Sequence, residues 1–154
     1  MKKLIKLLFA CFLAFGLCGC GESIEDTNGE NNTALNTITK EDILSNSISA
    51  SGLGTEEGEF LGFTSFKYKA KNFNGVEELY NENYLFSTAV YVHVNFINLK
   101  SGNFRMFVIN DGKIIQEIPS DATGESYCFE NLDGNLTIRV AGESAKVEFD
   151  FDVQ

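Results

Sequence analysis

Tryptophan is absent from the 154-residue chain, and proline and histidine occur once each, as Pro119 and His93. A single imidazole excludes any metal site built on two histidines and leaves a Ser-His-Asp arrangement no spare base. With one proline and 14 glycines, tight turns fall to Gly, Asn and Asp. Positive charge is also scarce, 12 Lys+Arg against 22 Asp+Glu. So acidic a surface is repelled by nucleic-acid phosphates, and no nucleic-acid partner is expected. Three of the four cysteines stand within the first twenty residues. Beyond that stretch there is no CxxC, HExxH, phosphate-binding loop or EF-hand pattern.

What the chain does have begins with MKKLIKLLFACFLAFGLCGC. Lys2, Lys3 and Lys6 precede an apolar run over 7–15, which ends in the small residues around Gly16 and Gly19. This is the layout of a secretory signal. From Leu4 to Gly19 there are 16 residues (19 − 4 + 1), short of the roughly 20 that a membrane-spanning helix needs. The ending Leu17-Cys18-Gly19-Cys20 resembles the lipobox of bacterial lipoprotein signal peptides, with Leu17 and Gly19 at the matching positions and Cys18 where Ala, Ser or Thr is commoner. The resemblance implies that the Cys20 thiol becomes a thioether to diacylglycerol and that cleavage leaves Cys20 as the new N-terminus. The expected location is extracytoplasmic, lipid-anchored to the cell membrane; the competing reading is an ordinary signal cut near Gly19.

Processing at Cys20 leaves 154 − 19 = 135 residues, enough for one small domain and a tail. Losing three lysines leaves 12 − 3 = 9 basic residues against 22 acidic ones, a formal charge of −13. Only Cys128 then keeps a free thiol, so the core must stand without a disulfide. The stretch GESIEDTNGENNTALNT is too polar to bury much surface. Segment 20–58 therefore reads as a polar tether, with a short helix opening at Thr39, whose hydroxyl is placed to cap it ahead of Glu41 and Asp42. The Glu22, Glu25, Asp26 and Glu30 cluster reads as solvated charge rather than a metal loop.

From Leu61 onward the apolar period is two. Phe66, Tyr68 and Ala70 alternate with lysines; Val90, Val92, Val94 and Phe96 alternate with Ala89, Tyr91, His93 and Asn95; and Val147, Phe149, Phe151 and Val153 oppose Glu148, Asp150 and Asp152. Strands with one wet face are expected. Lys100-Ser101-Gly102, Asn110-Asp111-Gly112, Asp133-Gly134 and Gly142-Glu143-Ser144 read as hairpin turns, and 75–83 fits either a helical turn or a strand. The fold class is all-β, an antiparallel β-sandwich, Ig-like or jelly-roll-like, over 59–154. The stretch NFRMFVINDGKIIQEIPS, followed by ESYCFENLDGNLTIRVAGESAKVEFDFDV, resembles small sandwich lipoproteins of Gram-positive bacteria. That resemblance implies a fold and a location and brings no catalytic residues.

Candidate chemistry is thin. His93 reads as a sheet histidine, and Cys128 as a small buried hydrophobe; a Cys128–His93 nucleophilic pair would need spatial adjacency. Glu148, Asp150 and Asp152 stand ~7 Å apart along one strand face; as a set they suit solubility and edge protection better than acid–base work or Ca²⁺ binding. No cofactor or metal is expected, and no enzymatic activity. The expected function is a non-catalytic interaction or structural module of the cell envelope, its partner an envelope protein or glycan. The alternative is a binding module for a cell-wall or surface glycan. With no tryptophan, that alternative needs Tyr91, Phe107 or Tyr80 exposed, with Tyr91, His93 and Phe107 the candidate contacts. The lipid reading is checked by Cys20→Ser, expected to move the chain from the membrane fraction to the soluble one; a variant that stays membrane-bound contradicts it.

Overall fold

The computed structural model describes residues 35–45, 49–60 and 63–154, with the side chains of 55–60 and 63 left aside. The lipobox, Cys20 and the acidic cluster at 22–30 lie outside the described residues. The elements are helix α1 (Lys40–Ser45) and strands β1 (Ser51–Phe60), β2 (Phe63–Asn110), β3 (Lys113–Ile118) and β4 (Thr123–Val153). Pairing with β2 begins at Ser51, inside the segment read from sequence as tether. The 75–83 stretch is strand, paired from Gly75↔Gly142 to Asn83↔Asn135.

β2 and β4 are far longer than one layer is wide, so each runs through both layers. Arm 134–153 of β4 is flanked on one side by 64–84 of β2 and on the other by 92–110. All three antiparallel segments bend together near their middles. Each carries a positive-φ residue at the bend: Gly75 (φ 102), Gly102 (φ 78) and Ser144 (φ 52). One layer then runs β1, 64–73, 145–153, 92–99, 123–129, and the other 75–84, 134–142, 103–110, β3. The continuous sheet is thereby folded back on itself into a β-sandwich. Of the two architectures expected, this strand order is that of a jelly roll.

Of the four expected hairpins, Asn110-Asp111-Gly112 joins two strands that pair with each other. Asp111 (φ 46) and Gly112 (φ 72) give it the double positive φ of a type I′ turn. The stretches 100–102, 133–134 and 142–144 instead carry the chain from one layer to the other, which explains their turn-forming residues without any hairpin.

The alternating residues meet between the layers. Phe66 stacks on Phe151 (centroids 4.8 Å), Tyr68 on Phe149 (4.9 Å), and Phe104 of the facing layer tilts against Phe149 at 5.0 Å. Val90, Val92 and Val94 are buried with them. Phe96, expected to continue that face, does not: the register slips between Val94 and Phe96, and Ile97 takes the buried position instead. A one-residue bulge inverts every side chain after it.

Segment 103–110 is buried on both faces. Phe104, Met106 and Val108 join the main core, whereas Phe107 and Ile109 form a second cluster with Val76 and Ala141 beneath Ile38 and Ile43. The outer face of the second layer is thus covered by the chain's own 35–45. Thr39 caps α1 as expected: Asp42 N donates to Thr39 Oγ1 (3.2 Å) and Thr39 N to Asp42 Oδ2 (2.8 Å), a reciprocal capping box. Arg139 holds the other end, its Nη1 donating to the carbonyls of Ile43 (2.7 Å) and Leu44 (2.6 Å) while Nε and Nη2 reach Glu78. Glu143, at the bend, accepts from the amides of Asn36 (2.8 Å), Thr37 (2.6 Å) and Ile38 (3.0 Å), and from Asn103 Nδ2. Its partial burial pushes its pKa up, but these hydrogen bonds outweigh that and hold it at about 2.

Two predictions follow from the bend and the clamp. A Cβ at Gly102 would lie 2.4 Å from the Ser144 carbonyl oxygen, whereas at Gly112, with a similar φ, it would meet nothing within 4 Å. Gly112→Ala is expected to cost about 1 kcal/mol of unfolding free energy, and Gly102→Ala clearly more, about 2–3 kcal/mol; equal losses in urea titrations would refute the clash. For Glu143, the lowered folded-state value means its contribution is complete above the unfolded value of 4.5 and is lost as pH falls towards 2. The stability gap between the wild type and Glu143→Gln should therefore narrow across that window in acid unfolding series, and a gap constant with pH would show the carboxylate charge to be irrelevant.

Candidate functional site

With the second layer covered, the outer face of the first is the one that the described residues leave to solvent. Alternation along 90–95 sends Val90, Val92 and Val94 inward and Tyr91, His93 and Asn95 outward. Because 90–96 is flanked by both 147–153 and 123–129, His93 has Asp152 on one side and Ser126 on the other. His93 Nδ1 lies 2.7 Å from Ser126 Oγ. Asn95 spends both amide hydrogens on carboxylates, donating to Asp150 Oδ1 (2.8 Å) and Asp152 Oδ2 (2.9 Å). Tyr91 is 44% exposed, and its backbone is fixed by exchange with Gln154, N to O at 2.9 Å and O to N at 3.0 Å. On the far side of the carboxylates, Lys69 Nζ is 3.7 Å from Glu148, and Lys67 stands opposite Asp150.

The face is therefore a graded polar strip: lysines, then carboxylates, then an amide, an imidazole and a hydroxyl, with a phenol ring at one end. Its members hydrogen-bond to one another, which orients them before any ligand arrives. Such a strip offers donors and acceptors at strand spacing, ~4.8 Å across and ~6.8 Å along. In these bonds His93 is engaged with Ser126, and Asp152 is engaged with Asn95 through Oδ2.

The sequence-derived candidates separate. Tyr91 and His93 come together on this face. Phe107, only 4% exposed, lies beneath 35–45 on the opposite layer and is not a surface contact, because an N-terminal segment more than sixty residues away covers it. Tyr80 is half-buried and shares a hydroxyl–hydroxyl hydrogen bond of 2.8 Å with Tyr84. Cys128 is buried opposite Tyr91, while the histidine nitrogen nearest that arm engages Ser126. Among the described residues, no group of three or more His, Cys, Asp or Glu side chains is placed to hold a metal ion. Asn95 and Ser126 were missed as site residues: alternation puts Asn95 on the right face, but the register that brings Ser126 to His93 is invisible in one dimension.

No known family model matches the chain, and no curated protein sequence does. Among solved structures, the chain is similar to a carbohydrate-binding module from Cellvibrio mixtus lichenase 5A, described in complex with cellotriose. The identity is 11%, the match covers 69% of this chain and 88% of that one, and the TM-score is 0.41.

Proposed function

We propose that this chain is a lipid-anchored, extracytoplasmic binding module without catalytic activity, and that it binds through the outer face of its first layer. The anchor rests on the lipobox-like Leu17-Cys18-Gly19-Cys20. The binding face rests on one observation: Tyr91, His93, Asn95, Ser126, Asp150 and Asp152 share the sandwich face that the described residues leave uncovered, and hydrogen bonds pair His93 with Ser126 and Asn95 with Asp150 and Asp152. An envelope protein or a surface polymer is the partner class that such a module would meet.

A second reading, a cell-wall or surface glycan as ligand, is favoured by the exposure of Tyr91 beside this strip. An exposed phenol ring provides an apolar surface for a pyranose, and adjacent neutral and anionic groups can exchange hydrogen bonds with its hydroxyls. A glycan array probed with residues 20–154 tests it. Binding that weakens about ten-fold in Tyr91→Ala, the usual scale for truncating an aromatic contact, with unfolding unchanged, supports the glycan reading. Binding unaffected by Tyr91→Ala and Asn95→Ala would place any glycan elsewhere, and an array with no specific hit returns the partner to the protein class.

A further inference from the structure

Among the described residues, the most exposed large apolar side chains lie on β2 a few residues before Tyr91. Leu85 and Phe86 are adjacent in sequence and 79% and 83% exposed. Single exposed hydrophobes are ordinary, but a neighbouring large pair left almost bare on a rigid support is a marker of an interaction site. The support is rigid here because the ladder brackets it: Tyr84 pairs with Gly134 and Thr88 with Leu132. Four steps on β2 thus answer two on β4, so 85–87 stand out as a bulge held at both ends.

We propose that Leu85 and Phe86 form a tip that inserts into the apolar region of a zwitterionic lipid bilayer. Behind the bulge the hydroxyls of Tyr80 and Tyr84 share a hydrogen bond and both residues pack against the main core, which braces the base of the tip. Charge speaks against anionic headgroups as the attraction. No Lys or Arg occurs between Lys71 and Lys100, whereas Glu82 sits two residues before Tyr84 and Asp133 beside Gly134. The attraction is apolar burial alone, and two side chains hold a free protein on a bilayer only weakly, as a single acyl chain does.

The inference rests on the anchoring reading for its strength. A chain already tethered through Cys20 meets its own bilayer at an effective concentration on the order of millimolar, where a weak second contact becomes significant. The geometry permits it. Arm 75–84 runs from the Glu143 end, where 36–38 are clamped, to the tip, about 30 Å at ~3.3 Å per residue. The 35 − 20 = 15 residue-to-residue steps from Cys20 to Leu35 can span up to about 50 Å. The tip can therefore reach the membrane from which the tether emerges.

The absence of tryptophan makes the test clean, since Phe86→Trp introduces one fluorophore at an exposed position. The lipidated full chain is reconstituted in phosphatidylcholine vesicles with and without a doxyl label near the headgroup, and far-UV circular dichroism confirms the fold. Insertion ~5–10 Å deep should cost the Trp about half its emission or more in labelled vesicles. The same probe at Ile115→Trp, exposed on β3, should be left unquenched. An unquenched Phe86→Trp, or equal quenching at both sites, overturns the proposal. So does a blue shift that depends on protein concentration and not on lipid, since that reports self-association. Flotation of the same sample reads the anchor separately: a floating chain with an unquenched tip fails the tip alone, and a chain that does not float fails the anchoring reading.

Discussion

The common bend of three antiparallel segments is the constraint on which the rest of this structure depends. Segments 64–84, 134–153 and 92–110 stay in register with one another through the turn from one layer to the next. A sheet can do this only if every strand yields at the same place, because a single unbent strand would break its ladder to both neighbours. Gly75, Gly102 and Ser144 provide that line, and the space at Gly102 is already taken by the Ser144 carbonyl. Packing follows from the bend: it carries Phe104 over Phe149 and encloses the aromatic core.

The bend also determines how the N-terminal segment is held. Glu143 stands at the bend, where its carboxylate faces away from the core and collects the amides of 36–38. Arg139, four residues earlier on the same segment, receives the carbonyl end of α1. One anion takes amides and one cation takes carbonyls, so both ends of a short segment have their backbone groups satisfied by charges of the appropriate sign. Beneath them Ile38 and Ile43 cover Phe107 and Ile109. The asymmetry of the sandwich arises here: among the described residues, one outer face is closed by 35–45, and the other is polar and left open.

Sequence reading succeeded where the physics is local. Alternation in 147–153 identified a strand with Phe149 and Phe151 inward, the Thr39 cap was legible from its spacing to Asp42, and Asn110-Asp111-Gly112 announced a hairpin through its own φ requirements. Where two distant pieces had to be brought together, it failed. Glycine-containing stretches at 100–102 and 142–144 look alike whether a strand returns beside itself or crosses to the other layer, since both need positive φ. Phe107 is an apolar residue in an alternating strand, and nothing near it reveals the helix lying over it. Phe96 was misassigned by a bulge that only the pairing with 147–153 defines. The site shows the same division: Tyr91, His93 and Asn95 share a face by parity, but Ser126, Asp150 and Asp152 join them only through register.

The two uses of carboxylates in this acidic chain clarify what the open face can do. Glu143 is saturated by donors and is committed to structure. Asp150 and Asp152 share one Asn95 amide group, which eases the repulsion between two like charges on neighbouring positions of one face while leaving each an oxygen uncommitted in those bonds. A ligand arriving there finds acceptors already aimed, and loses little entropy in ordering them. It must also displace water from a strongly hydrated strip, so the net gain per hydrogen bond is small. Weak contacts of this kind are best suited to a repeating partner engaged by many copies held in one plane, because neighbouring copies then share the cost of bringing the partner close. If the chain is anchored as proposed, a polar face of this kind fits that regime better than it fits tight capture of a single small molecule.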